Sequence, residues 1–138
     1  MSTGYGYFIS AFINKAQSLL DISNIVASGL KFKDIKPLIM YLNLSSNDIS
    51  KITSVTTNTI KRWKSTTQIG TLAAAYFFRI DRTLEKGIEL FGNKDELKKW
   101  LNSSNISLGT LPRELLLDPI GIELIDEALD ALHFGNVI

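Results

Sequence analysis

The sequence predicts an all-α protein. Proline occurs at only three positions, and the alternation of apolar and polar residues that is typical of strands is nearly absent. Apolar residues instead recur at spacings of three and four, as the buried face of a helix requires. The apolar fraction of 45% is enough for a hydrophobic core and argues against a chain that is disordered throughout.

The first two predicted helices lie before residue 43. The first ends near Ser28-Gly29, because glycine commonly stops a helix. The second runs from Asp34 to Leu42, with Asp34 as its expected N-cap and Pro37 in its first turn. The first helix has an apolar stripe made of Phe8, Ile9, Phe12, Ile13, Ala16, Leu19, Leu20 and Val26.

Two short helices and one long helix are predicted next. Ser45 or Ser46 is expected to cap a short helix that carries Ile49 and Ile52, and Thr56 to cap the next one. A longer helix runs from about residue 71 to residue 91, and Gly92-Asn93 stops it. Its expected apolar face comprises Leu72, Ala75, Tyr76, Ile80, Leu84 and Ile88.

The remaining elements are short until the last helix. Asn93 or Asp95 begins a helix that ends at Trp100-Leu101, and a loop rich in Asn, Ser, Gly and Pro follows. A turn at 113–117 precedes a final helix over about 120–132. Its expected inner face comprises Ile122, Ile125, Ala128, Leu129 and Leu132, and its outer stripe is acidic: Glu123, Asp126, Glu127 and Asp130.

Charge is distributed unevenly along the chain. Residues 1–82 carry 10 basic and 4 acidic residues, a net charge of +6, whereas residues 83–138 carry 5 and 10, a net charge of −5. This asymmetry suggests that one half meets a polyanion and the other half a different partner, although modest domains also differ in charge by chance. Cysteine is absent, and no apolar run is long enough to span a bilayer, so we expect a cytoplasmic protein.

A helix-turn-helix pattern occupies residues 45–64. Ile49 and Ser50 supply the apolar and small positions of the first helix, and Val55 the apolar residue that plugs the turn. Ile60 and Trp63 make the inner face of the second helix. The turn position that often holds glycine is Ser54, and Thr53 stands where an apolar residue is usual, so an ordinary helical hairpin or a vestigial motif remain alternatives.

The outward residues of the second helix suit DNA. Hydroxyl, amide and cationic groups near the start of a helix meet both phosphates and base edges. The expected DNA-binding residues are Thr56, Thr57, Asn58, Lys61, Arg62 and Lys64. Paired half-sites on DNA call for paired recognition helices, so we also expect a homodimer.

An ordered set of residues in the C-terminal third carries a family resemblance. The set is Phe91-Gly92, Trp100-Leu101, Asn105, Leu108-Gly109, Pro112, Leu115-Leu116, Gly121 and Phe134-Gly135. It resembles the toxin-binding domain of the Xre/MbcA/ParS antitoxin family, and residues 45–63 look like that family's Xre-type helix-turn-helix. Leu97, where the family tends to have a small residue, and Pro119-Ile120 before Gly121 depart from the pattern.

The resemblance implies three segments and a function. The segments are an N-terminal helical extension (1–33), an Xre-like helix-turn-helix domain (34–82) and a small helical toxin-binding domain (83–138). The family implies an antitoxin of a type II toxin–antitoxin system, which blocks the active site of a RES-domain toxin that depletes NAD and represses its own operon. The expected toxin-binding residues are the acidic stripe (Glu123, Asp126, Glu127 and Asp130) and the C-terminal His133, Phe134, Gly135, Asn136, Val137 and Ile138.

Each of these features also has a plainer interpretation. The acidic stripe is equally compatible with a solvated helix face, and Phe91 and Trp100 with core packing. The chain could be a stand-alone transcriptional regulator whose C-terminal domain dimerises, or a helical adaptor. An enzyme is not expected, because the only histidine is His133 and the sequence has no phosphate-binding glycine loop or metal-spaced carboxylates. No cofactor is expected.

Overall fold

The computed structural model describes residues 6–9, 20, 23–24, 27, 29–105 and 107–135. Within these residues the regular structure is helical, and the two β-bridges present are isolated pairs, so the all-α prediction is confirmed. The helices are α1 (Phe32–Leu42), α2 (Ser46–Thr53), α3 (Thr57–Lys61), α4 (Thr71–Phe91), α5 (Lys94–Leu101), α6 (Pro112–Leu115) and α7 (Pro119–His133).

Helix α4 forms the middle of the fold. It packs against α2 on one side and against α5 and α7 on others, and α6 packs on α7. Its buried residues cover most of its circumference, which explains why a polar residue, Asp81, lies among them. The predicted bounds of this helix are confirmed, but its predicted apolar face is partly wrong. Leu72 and Ala75 are exposed because they lie in the first turns of α4, beyond the helices that pack on it.

Helix α1 begins two residues before the predicted start. Its N-cap is Lys31, and Asp34 is the third helical residue, whose Oδ2 accepts the backbone N–H of Lys31 at 2.9 Å. The prediction of Asp34 as the N-cap is therefore wrong. The reason is non-local, because the Phe32 amide donates to the carbonyl of Thr67 at 2.9 Å.

A short N-terminal segment, residues 6–9, is held by α4 and is not helical. The amides of Tyr7, Phe8 and Ile9 donate to the Asp81 carboxylate at 2.8–2.9 Å. The predicted first helix therefore does not include Phe8 and Ile9. Of the rest of its stripe, Leu20 is exposed, and Phe12, Ile13, Ala16, Leu19 and Val26 lie outside the described residues.

The buried carboxylate of Asp81 is shielded from water on the inner side of α4. Burial raises its pKa above the ordinary value, the three amide donors oppose that rise, and the nearby Glu85 carboxylate adds to it. Gly6 is required beside it, because a Cβ there would lie 2.4 Å from Asp81 Oδ2. The segment and α4 thus fit together as one packed unit.

Two glycines permit the close packing of the C-terminal helices. A Cβ on Gly121, in the first turn of α7, would lie 1.9 Å from the carbonyl oxygen of Leu115. A Cβ on Gly87, in α4, would lie 2.6 Å from Leu97 Cδ1. Leu97 is buried against that glycine, so the larger side chain in α5 is accommodated by the absence of one in α4.

Gly121→Ala is expected to lower the free energy of unfolding by about 2 kcal/mol or more, because a backbone carbonyl cannot move aside as a side chain can. Urea denaturation measures this change. The control is Ile120→Ala at the neighbouring, exposed position, for which we expect a change within about 0.5 kcal/mol. Equal stability of Gly121→Ala and the unmodified protein would show that α6 and α7 are not packed this closely.

Candidate functional site

Helices α2 and α3 form a tight helical pair. Ser45 caps α2, with its Oγ accepting the Asp48 amide at 3.1 Å while Asp48 Oδ2 accepts the Ser45 amide at 3.0 Å. Helix α2 ends at Ser54, whose φ of 62° is left-handed. Thr56 then caps α3, as predicted. Each boundary of the pair is therefore specified by a local side chain or by a left-handed residue.

The inner face of this pair is apolar. Ile49 and Ile60 are buried, and the half-buried Val55 and Trp63 pack against the same core. Thr53 occupies its usually apolar position by hydrogen bonding locally: its hydroxyl donates to the Ile49 carbonyl at 2.8 Å and accepts the Val55 amide at 3.2 Å. The two departures from the motif, at residues 53 and 54, are thus compatible with its geometry.

The predicted DNA-binding residues lie together at α3. Thr56, Asn58, Lys61, Arg62 and Lys64 are exposed, and Thr57 is half-buried. The helix itself ends at Lys61, so Arg62 is its C-cap and Lys64 follows in the chain beyond it. The structure therefore presents a short helix with a basic end.

The predicted acidic stripe of α7 is divided by ion pairs with α4. Asp126 accepts from Arg79 at 3.3 Å and from the Thr83 hydroxyl at 3.0 Å. Lys86 Nζ lies 3.1 Å from a carboxylate oxygen of Asp130 and 3.5 Å from one of Asp126. Two of the four acidic groups are thus engaged within the chain.

The other two acidic residues of the stripe face solvent. Glu123 and Glu127 are exposed and form no ion pair with another residue of the described chain. The sequence could not distinguish them from Asp126 and Asp130, because the cations that neutralise the latter lie on α4, more than 40 residues away.

The end of α7 exposes an aromatic side chain. Phe134, the C-cap, is 76% exposed, and its ring lies edge-on to His133 with centroids 5.0 Å apart. Gly135 follows with a φ of 80°, a left-handed conformation that ends the helix. The predicted toxin-binding residues Asn136, Val137 and Ile138 lie outside the described residues.

A groove of about 410 Å³ runs beside this end of α7. It is formed between the last turns of α4 and α7, and sequence analysis did not identify its α4 side. Its lining residues are Lys86, Glu89, Leu90, Leu129, Asp130 and His133. The apolar floor and charged rim give the end of α7 a concave surface next to the exposed Phe134.

The motif residues that carry the family resemblance have structural roles. The rings of Phe91 and Trp100 pack at 5.7 Å, which holds α5 against the end of α4. Asn105 shapes the following loop, since its Oδ1 accepts the Leu108 amide at 3.1 Å and its carbonyl accepts the Gly109 amide at 2.9 Å. Most of the motif therefore builds the scaffold, and the exposed Phe134 is the exception.

A buried arginine joins the C-terminal helices to α1 and α2. Arg113, whose side chain is 15% exposed, donates from Nε to the Leu42 carbonyl at 2.9 Å and from Nη2 to the Asn43 carbonyl and to Asp48 Oδ2, both at 3.0 Å. Partial burial alone would raise the pKa of Asp48, but hydrogen bonds from the Ser45 amide and Arg113 lower it below its ordinary value. Sequence analysis missed Arg113, because its partners lie 65 to 71 residues away.

Two other kinds of site are absent from the residues that the structure describes. These residues contain no group of three or more histidine or acidic side chains that could hold a metal ion. None of their helices is long and apolar enough to cross a membrane.

Comparison with known proteins identifies the C-terminal part of the chain. The family described as the antitoxin Xre/MbcA/ParS C-terminal toxin-binding domain matches residues 86–135. The match covers the end of α4 and all of α5, α6 and α7, and it includes Glu123, Glu127 and Phe134. The resemblance seen in the sequence is confirmed over this segment. No curated protein matches the chain.

Proposed function

Residues 86–135 are an Xre/MbcA/ParS antitoxin C-terminal toxin-binding domain, and on that premise we propose that the chain is the antitoxin of a type II toxin–antitoxin pair. The match to that domain is the observation that carries the proposal. The family implies a RES-domain toxin as the partner, and occlusion of its NAD-depleting active site as the means of inhibition. The segment division at residues 33 and 82 is part of the same proposal.

The end of α7 is the proposed toxin-binding site. An exposed aromatic ring beside a partly apolar groove is the kind of feature that anchors a protein interface. Phe134 has both properties, and the proposed site also includes the tail at 135–138, which follows it in the chain. His133 packs edge-on to the Phe134 ring and orients it.

The acidic residues have two separate roles in this proposal. Asp126 and Asp130 bind Arg79 and Lys86 and so fix α7 on α4. Glu123 and Glu127 keep their charge exposed, which steers the encounter with a basic nucleotide-binding cleft. The stripe that the sequence showed as one surface thus supports the fold at one edge and the interface at the other.

DNA binding by α3 is the second activity that we propose, and it would let the antitoxin repress its own operon as a homodimer. The exposed Asn58, Lys61, Arg62 and Lys64 support it. The chain acts as a cytoplasmic inhibitor and regulator rather than as an enzyme, since its one histidine, His133, is exposed at a helix end without a catalytic partner among the described residues.

Phe134→Ala is expected to raise the dissociation constant for the protein encoded by the adjoining reading frame about 30-fold or more, the effect of losing about 2 kcal/mol at an interface anchor. Calorimetric titration measures it. Ile120→Ala is the matched control, since Ile120 is 72% exposed on the opposite end of the same helix. A Phe134→Ala protein that binds as tightly as the control would place the interface elsewhere.

Glu123→Gln/Glu127→Gln is expected to slow association with the same toxin several-fold at low salt and to leave the free energy of unfolding unchanged, because both groups are exposed. Asp126→Asn/Asp130→Asn removes the same charge but breaks the ion pairs to α4, so it is expected to destabilise the fold by about 1 kcal/mol. Stopped-flow binding and urea denaturation separate these effects. Identical behaviour of the two double variants would contradict the division of the stripe.

Lys61→Gln/Arg62→Gln/Lys64→Gln is expected to weaken binding to duplex DNA and to reduce the slope of log Kobs against log salt by about 2.7, or about 0.9 for each phosphate that is no longer neutralised. Fluorescence anisotropy measures both. Lys94→Gln/Lys98→Gln/Lys99→Gln, in α5, removes the same charge and is the control. Wild-type DNA affinity in the α3 variant would show that this helix pair does not bind DNA and would favour a vestigial motif.

A further inference from the structure

Two basic runs of the chain lie side by side, although they are distant in sequence. Residues 31–33 read Lys-Phe-Lys and residues 62–64 read Arg-Trp-Lys, each with an aromatic residue between two cations. The rings of Phe32 and Trp63 pack against each other with centroids 5.4 Å apart. This contact brings the start of α1 next to the basic end of α3.

Backbone hydrogen bonds hold the two runs in register. The Phe32 amide donates to the Thr67 carbonyl at 2.9 Å, and the Lys33 amide donates to the Ser65 carbonyl at 3.0 Å. One turn farther along α1, Lys36 Nζ lies 5.2 Å from the centroid of the Phe32 ring. The lysines of α1 therefore continue the basic surface of α3 across the aromatic pair.

The cations on this surface are not neutralised by the described part of the chain. None of them forms an ion pair with a described carboxylate: Lys31, Lys33, Lys36, Lys61, Arg62 and Lys64. The basic residues Arg79, Lys86, Lys99 and Arg113 all have such pairs. Unpaired positive charge is thus concentrated on one surface, where a polyanion is the complementary partner.

The position of Lys33 does not serve its own helix. It is the second residue of α1, where the positive end of the helix dipole disfavours a cation. Lys61 and Arg62 differ in this respect, since they lie at the C-terminal end of α3, where a cation is favoured. Fold stability therefore accounts for the charges of α3 more readily than for those of α1.

We propose that Lys31, Lys33 and Lys36 form a second phosphate-binding surface, which contacts the backbone of the same DNA duplex that α3 binds. The proposal rests on the proposed DNA binding by α3 and extends it to residues that the helix-turn-helix pattern does not include. Contacts of this kind position the protein on DNA without reading its sequence. The lysines of α1 then increase affinity equally for operator and unrelated DNA.

The test uses Lys33→Gln/Lys36→Gln in the full chain, because both side chains are exposed. The probe is a random-sequence duplex of about 30 base pairs, titrated by anisotropy between about 50 and 200 mM KCl. We expect the slope of log Kobs against log salt to fall by about 1.8, or about 0.9 for each phosphate. The melting temperature is expected to be unchanged or higher, since an unfavourable charge leaves the start of α1.

Lys94→Gln/Lys99→Gln, on α5, is the control with the same loss of charge, and its slope should match the unmodified protein. An unchanged slope for Lys33→Gln/Lys36→Gln, together with a reduced slope for the α3 variant, would overturn this inference and leave DNA binding by α3 intact. Equal slopes for Lys33→Gln/Lys36→Gln and the α5 control would also overturn it. An unmodified protein that does not bind the duplex would overturn both proposals.

Discussion

The packing of α4 against α2, α5 and α7 is the interaction on which the rest of the structure depends. This helix is buried over most of its circumference, so the surfaces on either side of it have fixed relative positions. Its buried Asp81 holds residues 6–9, and its exposed cations Arg79 and Lys86 hold α7. A single helix therefore supports both the proposed DNA-binding pair and the toxin-binding domain.

Arg113 adds a second link between these two parts. It lies in α6, within the segment that matches the toxin-binding domain, and it binds the last carbonyls of α1 and the capping carboxylate of α2. Carbonyls at a helix end lack partners within the helix, so a buried guanidinium there satisfies groups that would otherwise be costly. The uneven charge along the sequence thus becomes two surfaces on one framework, basic around α3 and acidic along α7.

Local signals predicted most of the helices, and non-local contacts explain most of the errors. The bounds of α4 follow from apolar spacing and from Gly92, and Thr56 is identifiable as a cap by its own chemistry. The start of α1 is not predictable in this way because residues 65–67 fix it. The acidic stripe looks uniform because the sequence does not show which carboxylates meet α4. Arg113 and the lysines of α1 escape sequence analysis for the same reason, since their neighbours are distant in sequence.

The most direct test of the antitoxin account is co-expression of this chain with the product of the adjoining reading frame, followed by size-exclusion chromatography and measurement of cellular NAD. The account predicts that the two proteins elute together, and that NAD and growth fall with the adjoining protein alone and recover when this chain is present. Separate elution with NAD still depleted would contradict it, and would leave a DNA-binding regulator whose C-terminal domain has another partner.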